Sequence, residues 1–454
     1  MDSFIPLGID ASTGQILSQS IPSAVLDTVD EDSQAIQSRN ERHLGAAIDE
    51  PNDLSQAGWC IVFPANQDTA ALKAALKPLL DLRQQQAGEL FQVMDGDKGY
   101  RAGDTAERWL ARRRVDLRLV DPTAGVPYYV VLAGSPDQIP FEFQYKLDSY
   151  WAVGRLYFDS IAEWNQYATK AAAAEQTKSP KTAAIVATRH ANDPATQLFH
   201  DNMALPLVNG TDPQHPALGS KRGFVLSSLL AAGANKRNIL DLIAGKLPGG
   251  RPSLLFTGSH GLRFDMTDPD QNNKQGALLC ADFAGGPVDP AWYLCEKDLG
   301  NISCDGMIHF FFACYSAGCP AMDTYDRLPN GQEKPLMAKP VVAKLPQGLL
   351  SRGALAVIGH VDRAWASSFK GAGRPQIQEF RFTLEQILGG TRVGQATDGF
   401  NQRWSVLSTE LSETLQRRQF GGQVSDDELA QKWIVRNDAR NYVILGDPAV
   451  RLSV

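Results

Sequence analysis

The chain has little positive charge to spare, few cysteines, and no long apolar run. Its 44 Lys and Arg against 51 Asp and Glu leave a formal net charge of −7, which argues against a nucleic-acid-binding surface. No stretch approaches the roughly 20 apolar residues that a membrane-spanning helix needs. The opening residues Met1-Asp2-Ser3-Phe4-Ile5-Pro6 lack a basic segment followed by an apolar core, so no signal peptide is expected. These absences lead us to expect a cytoplasmic protein with neither a membrane nor a nucleic acid as partner. The six cysteines, Cys60, Cys280, Cys295, Cys304, Cys314 and Cys319, are too sparse for a disulfide scaffold. None forms a Cys-x-x-Cys pair, and the spacing does not suit zinc. The acidic run Asp268-Pro269-Asp270-Gln271-Asn272 lacks the glycine and glutamate of a calcium loop, with Leu279 at the twelfth position. No phosphate-cradling motif and no internal repeat is visible. We expect no metal and no cofactor.

What is present is ordinary for a globular protein: 43% hydrophobic and 21% charged residues over 454 positions. Residues 1–57 are polar and acidic with weak periodicity and read as a leader or regulatory arm. From Gly58 onward strands alternate with helices. Trp59 to Phe63, Tyr128 to Gly134 and Tyr150 to Leu156 read as strands of a first α/β lobe over 58–180. Leu72, Leu76, Leu79 and Leu80 mark a helix by their spacing. A second lobe, 181–454, has strands at Thr182 to Thr188, Ser253 to Gly258, Met307 to Ala313, Ala354 to Gly359 and Asn441 to Leu445. The expected fold class is therefore α/β and two-lobed, with mostly parallel sheets flanked by helices.

Two of these strands end on reactive residues. Leu254-Leu255-Phe256-Thr257-Gly258-Ser259 leads to His260-Gly261, and Ile308-His309-Phe310-Phe311-Phe312-Ala313 leads to Cys314. Neighbouring parallel strands put their C-terminal ends side by side, where open α/β sheets form clefts. An imidazole and a thiol brought together there make a nucleophile with its base. Gly261 lets the backbone come close to a substrate. Its N–H and that of Cys314 are candidate oxyanion donors. His190 and Asp193 are both candidates to orient His260, and the sequence does not choose between them.

A strand ending His-Gly, followed about 50 residues later by one ending Ala-Cys, resembles the caspase-like cysteine peptidases. Phe312 replaces the glutamine of the caspase signature, and Tyr315-Ser316 replaces the residues that usually follow the cysteine. The chain is more similar to the gingipain-type branch and its bacterial cytosolic relatives. Val130 to Gly134 with Pro140, Ala152-Val153-Gly154-Arg155, and the ending Leu445-Gly446-Asp447-Pro448 carry that likeness over residues 58–454. The resemblance implies a two-lobed domain acting as an endopeptidase through His260 and Cys314, with a protein or peptide as substrate and a regulatory protein as a further candidate partner. It also implies that two loops set specificity at P1, the residue whose carbonyl is attacked. These loops are Arg189 to Asp193 and His360 to Trp365.

Asp362 and Asp193 in those loops suit an Arg or Lys at P1, with the Trp365 ring as a wall for the aliphatic stem. Arg189 suits an acidic P1 instead, or an ion pair at the loop base. The stretch Asp323 to Lys339 reads as an exposed linker open to cleavage. The rivals to a peptidase are a non-catalytic or zymogen module of the same fold, and a nucleotide-binding α/β protein that lacks its motif.

Overall fold

The computed structural model describes residues 5–18, Val25, 48–116, 120–371, 374–375 and 377–454. Much of the leader therefore lies outside the described residues. Ten strands form one sheet: β1 (Trp59–Val62), β2 (Phe91–Met94), β3 (Tyr129–Ala133), β4 (Ala152–Leu156), β5 (Thr182–Ala187), β6 (Val225–Leu230), β7 (Leu254–Gly258), β8 (Ile308–Phe312), β9 (Ala356–His360) and β10 (Tyr442–Gly446). Their spatial order is β2-β1-β3-β4-β10-β9-β8-β7-β5-β6. Every residue of β3, β4, β7, β8, β9 and β10 is buried. Strands covered by helices on both faces read as unbroken apolar runs rather than as alternation, which is why these are plain in the sequence. The edge strands β2 and β6 are half-buried or exposed apart from Met94 at the end of β2, and are missed by sequence reading.

All neighbouring strands run parallel except one pair, β9 and β10, which are antiparallel. The last strand of the chain is thus inserted between the two halves. It runs parallel to β4 of the first and antiparallel to β9 of the second. The lobes read from sequence consequently share one sheet and one apolar core. The segment 323–339, read as a linker, holds a hairpin of Met322–Arg327 with Glu333–Pro335, and Asp323 within it is buried.

The junction is fastened just beyond β10. Asp447 is fully buried and accepts from the Trp59 indole at 2.9 Å and from Arg83 Nε at 2.7 Å. Arg83, on helix α1 (Ala70–Ala87), also pairs with Glu175 at 2.6 Å. Tyr167, on helix α2 (Ile161–Ala174), donates to the carbonyl of Leu355 ahead of β9. Two carboxylates around one buried guanidinium hold the ends of three segments together. Asp447→Ala leaves Arg83 and the indole short of partners in the core, and is expected to cost about 3–5 kcal/mol. Urea denaturation checks it: the midpoint should fall with little change in slope. A loss below about 1 kcal/mol, the scale of an exposed pair, would mean that the junction is held by apolar packing alone.

Candidate active site

β7 and β8 pair in register, with Gly258 opposite Phe312. His260 and Cys314 therefore each stand two residues past the same rung. Ser259 N–H donates to the Phe312 carbonyl at 3.3 Å, carrying the pairing one step further. The two backbones then close on each other. A Cβ placed on Gly261 would lie 1.7 Å from the carbonyl oxygen of Cys314, so only glycine fits there. The chain turns sharply after the cysteine: Tyr315, fully buried, has φ of 58°. A bulky residue in that region is strained and needs its surroundings to hold it. The hold comes from β9 and the loop after it, since Tyr315 N–H donates to the Asp362 carbonyl and Ala317 N–H to that of His360.

His260 is fully buried, and its Nε2 lies 2.6 Å from Asp193 Oδ2. Asp193 also caps the short helix α3 (Pro194–Phe199), its Oδ1 accepting from the N–H groups of Ala195 and Thr196. Burial works to raise its pKa, but His260 and the Thr196 hydroxyl outweigh that and hold the carboxyl down at about 2. An ionised acceptor on Nε2 assigns the ring proton to that nitrogen. Nδ1, which has no hydrogen-bond partner among the described residues, is then the basic lone pair. The other candidate orienter, His190, makes no such contact. Its ring packs edge-on against Phe283, and burial lowers its pKa to about 4.

Cys314 is fully buried. Its Sγ receives the Ala364 N–H at 3.3 Å, and burial pushes the thiol pKa up. What covers it is the chain's own beginning. Ala366 N–H donates to the Ile5 carbonyl at 3.0 Å, Leu7 N–H to the Ala364 carbonyl at 2.8 Å, and Pro6 bridges Trp365 in antiparallel sense. The Leu7 carbonyl then accepts two N–H groups, from Gly261 at 3.0 Å and from Cys314 at 2.9 Å. Gly8–Asp10 continues as a strand parallel to Gly261–Arg263. A Cβ on Gly8 would lie 2.7 Å from Cys314 Sγ.

The remaining residues named from sequence are elsewhere engaged. Asp193 faces His260 rather than a P1 side chain. Arg189 is half-exposed and pairs with Asp201 at 3.4 Å. The Trp365 ring is buried beside Tyr325 at 5.1 Å, in a cluster with Trp433, and it does not line the groove that Asp362 lines. Asp362 is buried and accepts from Thr324 Oγ1 at 2.5 Å. It lines a groove of about 780 Å³ together with Asp323, Tyr145 and Arg440, and neither His260 nor Cys314 lines that groove. Sequence reading missed Ala364, whose backbone serves both Leu7 and Cys314, because backbone roles leave no residue-type signal. It missed Leu7 and Gly8 as well, although Ile5-Pro6-Leu7-Gly8 is an apolar break in an acidic leader.

No protein-family model and no curated protein sequence matches the chain. One solved structure, described as that of a protease, superposes with a TM-score of 0.51 at 13% identity, over 87% of this chain and 78% of its own. The chain thus has a protease-like fold. The Saccharomyces cerevisiae separase–securin complex matches with a TM-score of 0.33 at 11% identity, over 70% of this chain and 15% of that one. Among the described residues no helix is long and apolar enough to cross a membrane.

Burial, and then the charge of Asp323, raise the pKa of Asp362 from 3.8 to about 6. Between pH 4 and 6 the folded chain holds a proton there that the unfolded chain has lost. Stability therefore falls as pH rises through that window and stays lower above it. Asp362→Asn removes the titration, so it should be more stable than wild type by about 2–3 kcal/mol at pH 8 and no different near pH 4. Denaturant midpoints at the two pH values test this; parallel profiles would show the carboxyl to be solvated.

Proposed function

We propose that the chain is a caspase-like cysteine endopeptidase. Cys314 attacks the carbonyl carbon of a peptide bond, His260 Nδ1 takes the thiol proton and passes it to the leaving amine, and Asp193 keeps the ring oriented and stabilises the imidazolium. The N–H groups of Gly261 and Cys314 hold the oxygen as it becomes negative. One observation carries this reading: both N–H groups converge on a single peptide carbonyl beside the thiol. The His-Gly and Ala-Cys motifs and the protease-like fold support placing the chain with the gingipain-type branch and its bacterial cytosolic relatives.

The residue whose carbonyl occupies the donors is Leu7, fully buried, so we favour an apolar P1. The basic P1 expected from sequence rests on Asp362, which faces a separate groove, and on Asp193, which is engaged with His260; the acidic P1 rests on Arg189, which is engaged with Asp201. A zymogen reading of the same fold is favoured by one fact, the filled cleft, and is compatible with this chemistry.

The test uses fluorogenic peptides with Leu, Arg or Asp at P1, on chain incubated until turnover is constant. Leu should be preferred. Cys314→Ala should abolish turnover and labelling by thiol-reactive peptides, and Asp193→Asn should lower kcat/KM by about 100-fold or more. Turnover undiminished in Cys314→Ala would refute the reading, and a preference for Arg would return P1 recognition to Asp362.

A further inference from the structure

We propose that the chain's own Leu7–Gly8 bond is a substrate of Cys314, and that cutting it opens the site. The inference rests on the peptidase reading above and goes beyond it by naming a bond. The segment 5–10 does not lie over the cleft at random. It crosses in one extended direction, bonded on one side of the thiol to Ala364 and Ala366 and on the other to Gly261–Arg263. Only one of its carbonyls, that of Leu7, accepts the Gly261 and Cys314 N–H groups together. That alignment selects Leu7–Gly8 among all the bonds of the segment.

Gly8 is the residue that permits it. A side chain there would meet both Cys314 Sγ and Leu17 Cδ1 at 2.7 Å. The stretch beyond the bond is built into the domain. Leu17 N–H donates to the Gly8 carbonyl, Asp10 N–H donates to the Gln15 carbonyl, and the Asp10 carboxylate pairs with Arg263. The stretch before the bond is held by the edge at Ala364–Ala366 and by the burial of Ile5 and Leu7.

The reaction balances within the chain plus one water. Cys314 Sγ bonds to the Leu7 carbonyl carbon, the C–N bond to Gly8 breaks, and the thiol proton moves through His260 to the Gly8 nitrogen, which becomes a new α-amine. Water then hydrolyses the thioester, giving the Leu7 carboxylate and restoring the thiol. Among the described residues, the piece ending at Leu7 is held by that edge, by the two N–H groups on the Leu7 carbonyl and by the burial of Ile5 and Leu7; once cut it has no covalent tie and can leave, whereas Gly8 onward stays anchored. Its departure uncovers the Ala364–Ala366 edge, the Leu7 site and both N–H donors, which are what an incoming peptide needs.

The experiment follows freshly purified full-length chain by intact mass and N-terminal sequencing, alongside turnover of an added Leu-P1 peptide. The expected result is loss of Met1–Leu7, a new N-terminus at Gly8, and a rate independent of protein concentration. Turnover of the added peptide should rise in step with the cut by at least about ten-fold, because a tethered occupant outcompetes a free one. Cys314→Ala and Cys314→Ser, checked for folding by thermal melting, should stay intact. Leu7→Asp should suppress the cut and Leu7→Met should keep it. An intact N-terminus with full turnover of the added peptide overturns the self-cleavage and leaves the peptidase reading standing. A segment that stays intact and blocks turnover until displaced by Leu7→Asp makes it an uncut inhibitor and also overturns the proposal. A cut at another bond, or the same cut in the Cys314 variants, does so too. No cut, no turnover and no labelling of Cys314 in any variant removes both readings.

Discussion

The site depends on the register between β7 and β8. With Gly258 opposite Phe312, the two strand ends leave the sheet abreast, and the backbone of Gly261 comes to rest against that of Cys314. A one-residue slip would turn every side chain of one strand to the opposite face. Such a slip is resisted by the complete burial of both strands. The close approach then excludes any side chain at position 261, which leaves two N–H groups pointing to one place. The chemistry of the site is thus a by-product of packing: a fixed rung, a missing Cβ and a strained turn at Tyr315.

Electrostatics divides the labour between the two reactive residues. Asp193 is bound by four donors and stays ionised far below neutral pH, so the ring of His260 meets a fixed negative charge on one nitrogen. Cys314 meets no such partner while covered. Removing its thiol from water disfavours the thiolate, and the residues that remove it are Leu7, Gly8 and their neighbours. Occupation of the cleft and the reactivity of the thiol are therefore coupled. A site that releases the segment before the bond also admits water and makes the thiolate easier to form.

The sequence disclosed the parts of this arrangement that composition controls. Central parallel strands are short unbroken apolar runs, so β3, β4, β7, β8 and β9 were legible, as was the pairing of His260-Gly261 with Cys314 at their ends. Edge strands β2 and β6 bury little and gave no such run. The insertion of β10 between the halves was not legible, because strand order depends on which ends meet in space. Side-chain direction in loops was the weakest ground. Asp362, Arg189 and Trp365 have the right chemistry for a specificity pocket, yet one residue of displacement along a loop decides which groove a carboxylate enters. Asp193 and His190 were equal candidates in sequence because both precede the same helix; only Asp193 is its cap, and the cap geometry aims its second oxygen at His260.

The tether also sets what a foreign peptide must overcome. A segment joined to the domain through the turn that brings Leu17 back onto Gly8 faces the site at an effective concentration that, for short linkers, is in the millimolar range. A peptide of ordinary affinity supplied at lower concentration would not displace it, however well its P1 residue fits. The segment beyond Gly8 is held by strand pairing and by the Asp10–Arg263 pair, whereas the segment before it is held by a few backbone bonds and two apolar side chains. Breaking the one bond between them separates a strongly held piece from a weakly held one. The effective-concentration advantage is then lost for the half of the cleft that Leu7 occupies. In the proposed self-cleavage, the position of that bond against the thiol, rather than the affinity of the segment as a whole, therefore governs how the site becomes available.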